Sequence, residues 1–243
     1  MSYKITILLY SSFLFNILSL ALVTLLIARR YGLVYKIKKK LLVKLKKAHN
    51  NYSAYYLHKT SQFEILPKTE DAVIFLGDSI TDEAEWTELL DKPNIKNRGI
   101  SGDTTDGILN RLDEIVKSQP QKIFIMIGIN DLMSHKSVTR ILADYKYILS
   151  DFQNQIPNTE VFIQSVLPVN NKITRYWQNN NNILKLNLGL QELGKEFKNQ
   201  YINVFSHLSD SENQLDTQYT LDGLHLNGQG YLAWKKVIEK HVM

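Results

Sequence analysis

The chain contains no cysteine among its 243 residues. No disulfide can form, so cysteine usage leaves open whether the protein works in a reducing or an oxidising compartment. The sequence also has no internal repeat and no glycine-rich phosphate-binding loop of the nucleotide-binding kind. Its six histidines form no recognisable ligand cluster. The sequence therefore implies neither a metal nor an organic cofactor.

Length and composition limit the class of protein. The chain is long enough for one medium domain plus an appendage, but not for two full-sized domains. Hydrophobic residues make up 44% and charged residues 22%, which is ordinary for a folded protein. This balance favours neither a disordered chain nor a protein that crosses the membrane many times.

Charge is absent from Ile5 to Ala28, a run of 24 residues. As a helix this run would reach roughly 36 Å, which is enough to cross a bilayer. A cleavable signal peptide is less favoured, because the apolar stretch is too long and no small-x-small site precedes Arg29 and Arg30. A buried core helix is the remaining alternative. We expect residues 1–28 to form a transmembrane anchor.

The segment 29–47 contains nine Lys and Arg residues and no acid. Val34, Ile37, Leu41 and Leu45 recur at helical spacing, so the segment is either an amphipathic helix on anionic lipid or a solvated basic linker. Without these residues and Lys4, 19 basic residues remain against 24 acids. We therefore expect segments 5–28 and 29–47 to contact a lipid bilayer, and we expect no nucleic-acid partner.

The distribution of cations also bears on topology. One lysine precedes the apolar run and nine cations follow it, which favours a cytoplasmic location for the rest of the chain under the positive-inside rule. The opposite topology, with an exported domain, stays open. We expect a basic connector over 29–62 and a catalytic domain over 63–243.

Beyond the connector, short apolar runs alternate with longer amphipathic stretches, the pattern of an α/β protein. The predicted strands are Ala72–Leu76, Ile95–Asn97, Lys122–Ile127, Glu160–Ser165 and Tyr201–Phe205. The predicted helices are Glu83–Leu90, Thr105–Lys117, Val138–Gln155, Ile183–Lys198 and one from Gly228 to the end. The third and fourth strands are rich in Ile, Val and Phe and lack strict alternation, so they suit a parallel sheet that is buried on both faces. We expect a three-layer α/β/α, flavodoxin-like, doubly wound parallel sheet of about five strands.

Chemically useful residues follow three of the predicted strands, at the edge where open parallel sheets bind ligands. Ser79 follows Gly77 at a strand-to-helix turn, where it is either a nucleophile or an ordinary helix cap. Gly102 lies in a tight turn after the second strand. Asn130 follows the third strand, where its amide could donate to a developing oxyanion. Each feature alone is weak evidence.

Near the C-terminus, Asp222 precedes His225 by three residues. On a turn this spacing brings the carboxylate within hydrogen-bond reach of one ring nitrogen, and the other nitrogen can then accept a serine proton. A surface turn is the alternative for this pair alone. The joint occurrence of all these features, in order on one α/β plan, favours catalysis.

The chain resembles a known family. Its blocks are similar to the four sequence blocks of the SGNH hydrolases, also called GDSL-type lipases and esterases: Gly77-Asp78-Ser79, Gly102, Gly128-x-Asn130 and Asp222-x-x-His225. The resemblance runs from about Phe63 to the C-terminus. The segment 98–105 is similar to the branch that includes the platelet-activating factor acetylhydrolase catalytic subunits. One departure is Ile80, where the family name has Leu.

The resemblance implies a carboxylic ester hydrolase that works without a cofactor. Ser79 would be the nucleophile, His225 the general base and then acid, and Asp222 the group that orients His225. The oxyanion would bind to the backbone N–H groups of Ser79 and Gly102 and to the Asn130 amide. Asp78, Asp103 and Asp131 are interpreted as turn and capping residues, and His207 as structural.

The substrate is less well defined. Tyr176 and Trp177, in a segment that follows the fourth strand, either stack on a sugar or pack a loop against the domain. Because the domain has no long apolar lid, we expect short acyl groups, acetyl above all, on a carbohydrate or another small ester. A lysophospholipase or thioesterase that acts on membrane lipid is the alternative. A binding module without turnover is the third hypothesis.

Overall fold

The computed structural model describes residues 13–24, 26, 52–69, 71–173 and 178–242. The chain divides into two compact units, Met1–Asn50 and Asn51–Met243. In the first unit, residues 13–24 are helical and their side chains are mostly exposed. Within the described ranges, no helix is both long enough and apolar enough to cross a membrane. The rest of the predicted anchor and all of the basic segment 29–47 lie outside these ranges.

The second unit is built on a five-stranded parallel sheet with the order β2-β1-β3-β4-β5. The strands are β1 Val73–Gly77, β2 Ile95–Gly99, β3 Lys122–Met126, β4 Glu160–Gln164 and β5 Gln200–Ile202. As predicted for the third and fourth strands, β3 is buried along its whole length and β4 is buried except at Glu160. β1 is fully buried as well. The predicted flavodoxin-like sheet is confirmed.

Helices pack around this sheet. They are α1 Ala54–Ile65, α2 Ser79–Asp82, α3 Trp86–Leu90, α4 Thr105–Asn110, α5 Leu112–Ser118, α6 Ile129–Met133, α7 Val138–Gln155, α8 Asn180–Phe197, α9 Phe205–Leu208 and α10 Gly228–Val242. On one sheet face, the rings of Phe75, Phe124 and Phe162 stack in register across three strands, with centroids 4.9 and 4.5 Å apart. Trp86 of α3 stacks on Phe75, and Trp234 of α10 meets Trp86 edge-on. These aromatic contacts attach α3 and α10 to the sheet.

Several predicted boundaries are wrong, each for a local reason. The predicted helix Thr105–Lys117 is interrupted at Arg111, whose guanidinium binds Asp103 and two backbone carbonyls. The predicted fifth strand is shorter, because the chain turns after Ile202 into α9. Helix α8 begins before Ile183, because the Asn179 side chain caps it. Helices α2 and α6 are too short for a periodic pattern to indicate them.

Helix α1 lies across the predicted boundary at residue 63. Ser53 caps its first turn by accepting from the Tyr56 N–H. Tyr56 and Phe63 are buried against Ile100, directly after β2. Residues 54–65 are therefore part of the compact unit that also contains the sheet.

Candidate active site

The turn that carries Ser79 depends on two close backbone approaches. A side chain at Gly77 would collide with the Thr81 hydroxyl and the Met126 carbonyl. A side chain at Gly99, on the neighbouring strand, would collide with the Asp82 backbone. Because neither position has a Cβ, α2 lies directly against the carboxyl ends of β1 and β2. This packing fixes the Ser79 hydroxyl at the edge of the sheet.

Asp78 caps the same turn. Its carboxyl group accepts from the Ile80 N–H at 3.1 Å, and its side chain is almost fully buried. Burial raises the pKa of Asp78 to about 7, although the Ile80 hydrogen bond opposes the shift. The interpretation of Asp78 as a capping residue agrees with this geometry.

Ser79, His225 and Asp222 lie in one hydrogen-bonded row. The Ser79 Oγ is 3.0 Å from His225 Nε2, and His225 Nδ1 is 2.7 Å from Asp222 Oδ2. Partial burial raises the pKa of Asp222, but hydrogen bonds from the His225 ring and from two backbone N–H groups outweigh it and hold the pKa below its usual value. The carboxylate is therefore charged at neutral pH and fixes the orientation of the ring.

Asn170, in the segment that follows β4, contacts the loop of Asp222 and His225 and the chain before it. The Asn170 N–H donates to the Gly223 carbonyl at 2.8 Å, and the Asn170 amide donates to the Leu215 carbonyl at 2.7 Å. Asn170 is buried. The segment after β4 thus stabilises the loop through hydrogen bonds, a role that the sequence pattern did not indicate.

Three N–H donors follow the ends of β1, β2 and β3: the backbone N–H groups of Ser79 and Gly102 and the side-chain amide of Asn130. In the described ranges, neither the Ser79 nor the Gly102 backbone N–H donates to a protein acceptor. The Asn130 amide donates one hydrogen to the Asp103 carbonyl at 2.9 Å and keeps a second. Gly102 has φ of +78°, and the Asp103 N–H donates to the Ile100 carbonyl at 3.0 Å, as in a type II turn.

A buried ionic network joins the Gly102 turn to Asn130. Asp131 accepts from both the N–H and the hydroxyl of Thr105, at 2.9 and 2.6 Å. The Lys136 ammonium lies 2.9 Å from Asp131 and 2.6 Å from Asp144. Burial lowers the pKa of Lys136, but the two carboxylates outweigh it and raise the pKa. The network fixes the start of α4 relative to α6, so Asp131 does more than the predicted capping.

Two acids beside the site were not singled out in the sequence. Asp82, at the end of α2, accepts from the Ser101 N–H at 3.1 Å. Glu83 Oε1 is 3.8 Å from His225 Nε2, and the Glu83 side chain is about half exposed. Nothing in their spacing distinguishes these acids from surface residues, because their partners are remote in the chain.

The remaining predictions concern His207, Asp103, Tyr176 and Trp177. The exposed His207 bonds locally, with Nδ1 2.9 Å from the Asn203 carbonyl, in agreement with a structural role. Asp103 forms a buried ion pair with Arg111 at 2.9 Å and also accepts from the Thr104 N–H. Tyr176 and Trp177 lie outside the described residues.

Comparison with known proteins identifies the family. Residues 75–233 match the GDSL-like Lipase/Acylhydrolase family, which is well over half of the chain. The chain belongs to this family. The resemblance found in the four sequence blocks is thereby confirmed, and membership of this acylhydrolase family makes the protein a carboxylic ester hydrolase.

Relatives of this acylhydrolase include an acetylhydrolase. Platelet-activating factor acetylhydrolase IB subunit alpha2 of Rattus norvegicus is 26% identical over 183 residues, which are 72% of this chain and 77% of the relative. A Streptococcus pneumonia structure provisionally described as a platelet activating factor has 29% identity and a TM-score of 0.71, covering 87% of this chain and 99% of that one. A Bacteroides fragilis structure provisionally described as an acylhydrolase has 20% identity and a TM-score of 0.67, covering 79% and 98%, and shows the fold alone.

Neutralising Asp78 should change how the stability of the acylhydrolase depends on pH. Because its pKa rises from 3.8 to about 7 on folding, its contribution to stability is full below about pH 4 and is lost as the pH rises to about 7. Asp78→Asn keeps the cap and removes the titration. We expect a smaller fall in melting temperature between pH 5 and pH 8 than in the unchanged protein. An unaltered fall would contradict the assignment, and Asp71→Asn, at an exposed carboxyl, is the control.

Removing the Lys136 charge should destabilise the fold. Lys136→Met leaves Asp131 and Asp144 buried without their shared cation, which typically costs about 3–5 kcal/mol. Lys146→Met, which breaks an exposed pair with Glu196, should cost at most about 1 kcal/mol. Urea unfolding measures both values. Equal losses would show that the network contributes no more than a surface ion pair.

Proposed function

We propose that the protein is a membrane-anchored serine esterase that cleaves short acyl esters, acetyl above all, through an acyl-enzyme on Ser79. The observation that carries this proposal is the row of hydrogen bonds from Ser79 through His225 to Asp222, with 3.0 and 2.7 Å between the bonded atoms. The row joins residues 146 positions apart in the chain. A serine that served only as a helix cap would not need this partner.

The reaction follows from these two hydrogen bonds. His225 Nε2 accepts the Ser79 hydroxyl proton while Oγ attacks the ester carbonyl carbon, and Asp222 stabilises the imidazolium that forms. The carbonyl oxygen becomes an oxyanion that the Ser79 and Gly102 N–H groups and the Asn130 amide bind. The intermediate collapses as His225 protonates the departing alcohol. A water molecule then releases the acyl group by the same two steps.

The free hydrogens of the Ser79 and Gly102 N–H groups and of the Asn130 amide stabilise the oxyanion. Each donor of this kind typically contributes about 3 kcal/mol to binding of the transition state. Two of the three are backbone groups that already lack protein acceptors in the described ranges, so no internal hydrogen bond has to break. Preorganised donors explain how serine chemistry proceeds at this site.

The preference for acetyl is supported by the relatives. The rat protein that is 26% identical to this chain is named as an acetylhydrolase. The domain also lacks a long apolar segment that could cover an extended acyl chain. A carbohydrate or another small alcohol is the leaving group that we propose, with Tyr176 and Trp177 as candidate contacts to it.

A p-nitrophenyl ester series from acetyl to dodecanoyl tests the acyl preference. We expect kcat/KM to fall steeply with chain length, and Ser79→Ala to lower hydrolysis of the acetyl ester by about 10⁴-fold or more. Ser206→Ala, at an exposed serine of α9, is the matched control and should retain full activity. Activity that survives Ser79→Ala would refute the nucleophile.

The lipid alternative has one specific observation in its favour, the apolar and basic segments at the N-terminus. Those segments would hold a lysophospholipase or thioesterase beside its substrate. In that case the same series would peak at long chains and activity would require a lipid interface. A folded protein without activity on any ester would instead favour a binding module.

We propose that residues 5–28 span the membrane and that segment 29–47 binds anionic headgroups on the cytoplasmic side. The full chain should then stay with membranes after alkaline carbonate washing, whereas a chain that lacks residues 1–47 should be released. A reporter at the C-terminus should be active in the cytoplasm. A signal from the outer side would contradict the orientation but not the anchor.

A further inference from the structure

Helix α1 lies outside the segment that matches the family, yet it contacts the loop that carries Gly102. The contact runs through Asp82, the last residue of α2. Asp82 Oδ1 accepts from the Lys59 ammonium at 2.7 Å, and Oδ2 accepts from the Tyr55 hydroxyl at 2.6 Å and from the Ser101 N–H at 3.1 Å. Only 7% of the Asp82 side chain is exposed. One buried carboxylate thus connects α1, α2 and the loop.

The position of Ser101 in its turn gives this contact its importance. Ser101 and Gly102 are the two central residues of the turn that Ile100 and Asp103 close. The peptide group between them carries the Gly102 N–H, and rotation of this one peptide converts a type II turn into a type I turn. Such a rotation would reverse the direction of the Gly102 N–H. The bond from Ser101 to Asp82 holds the backbone immediately before the peptide that would rotate.

The start of the turn is held independently. The Ile100 N–H donates to the Gly77 carbonyl at 3.1 Å, beside the Ser79 turn. Ile100 itself is fully buried against Tyr56 and Phe63 of α1. Asp82 therefore fixes the part of the turn that this packing leaves free.

The donors of Asp82 suit a lasting contact. Tyr55 has a pKa raised to about 12, mainly because its hydroxyl donates to Asp82, so the phenol keeps its proton at neutral pH. The Lys59 ammonium compensates the charge of the carboxylate and lies over the Phe63 ring, 5.3 Å from its centroid. Both donors come from one face of α1, one helical turn apart.

α1 is also docked at the far side of the loop. The Tyr56 hydroxyl donates to the Gly107 carbonyl in α4 at 2.8 Å and accepts from the Asn110 amide at 3.1 Å. The loop from Ile100 to Thr104 is therefore bounded by two contacts of the same helix. A shift of α1 would act on the loop from both ends.

We infer that α1 is a positioning element of the esterase site and that Asp82 is the positioning residue through which it acts. With Tyr55 and Lys59 in place, Asp82 holds the Ser101–Gly102 turn in the conformation that directs the Gly102 N–H at the oxyanion. Tyr55 and Lys59 act through their contacts to Asp82. The inference rests on the proposed function, because it assigns a use to α1 in that same site.

The test compares variants of the full chain on p-nitrophenyl acetate. Tyr55→Phe/Lys59→Met removes both α1 donors, and we expect kcat to fall about fivefold to tenfold while KM stays within about twofold, since loss of a whole oxyanion donor costs about 10²–10³ in kcat. Lys59→Arg, which keeps the ion pair, should retain kcat. Lys68→Met removes the same charge from an exposed site beyond α1 and should also retain it.

A second measurement does not depend on activity. Amide hydrogen exchange of a peptide that covers residues 99–104 should be faster in the double variant, because the Ser101 N–H loses a fixed acceptor. Tyr55→Phe alone alters an exposed residue, and it supplies the same comparison if the double variant does not fold.

The possible results separate two failures. If the unchanged protein hydrolyses the ester and Ser79→Ala does so equally well, the proposed function is refuted. Serine-dependent hydrolysis with kcat and exchange unchanged in the double variant would refute only the role of α1. An equal loss of kcat in Lys68→Met would also refute it, because the effect would then be one of charge alone.

Discussion

The site depends on the direct packing of α2 against the carboxyl ends of β1 and β2. Gly77 and Gly99 make this packing possible, because a Cβ at either position would collide with the backbone or with Thr81. The Tyr231 hydroxyl of α10 also donates to the Ile80 carbonyl at 2.9 Å. Ser79 is thus held from the sheet and from the last helix. The same short helix ends at Asp82, so the strand edge also sets the position of the Ser101 contact.

Charge is the second constraint on the site. Asp78, Asp103 and Asp131 are buried within a few residues of the candidate catalytic groups, and burial raises the pKa of each. Arg111 offsets the charge of Asp103, and Lys136 offsets that of Asp131. These buried carboxylates lower the free energy of unfolding unless each one remains paired or protonated. In return, the polar network orders the turns that carry Gly102 and Asn130.

Much of the fold could be predicted, because its signals are local. The buried strands β1 and β3 consist almost entirely of apolar residues, and the long helix α7 has the predicted bounds, Val138–Gln155. The four sequence blocks were recognisable because each one lies on a short turn with a fixed residue order. The parallel topology brings the first three blocks to one edge of the sheet, and the loop before α10 brings His225 to Ser79.

The unpredicted features depend on contacts between remote residues. The role of Asp82 requires Tyr55, Lys59 and Ser101, which are 27, 23 and 19 positions away. Lys136 meets Asp144 and Asp106 only after α4 and α7 pack together. The break at Arg111 has the same origin, since its partners are Asp103 and the carbonyls of Gly77 and Arg98. No propensity or spacing rule contains these pairings.

The esterase that we propose carries the acyl group on Ser79 during turnover. The most direct test is to quench the protein within its first turnovers of p-nitrophenyl acetate and to analyse its peptides by mass spectrometry. We expect one added acetyl group on the peptide that contains Ser79. The same species should accumulate only slightly in His225→Ala and not at all in Ser79→Ala. Turnover-dependent acetylation of another residue would contradict the role of Ser79, and so would hydrolysis by Ser79→Ala at the rate of the unchanged protein.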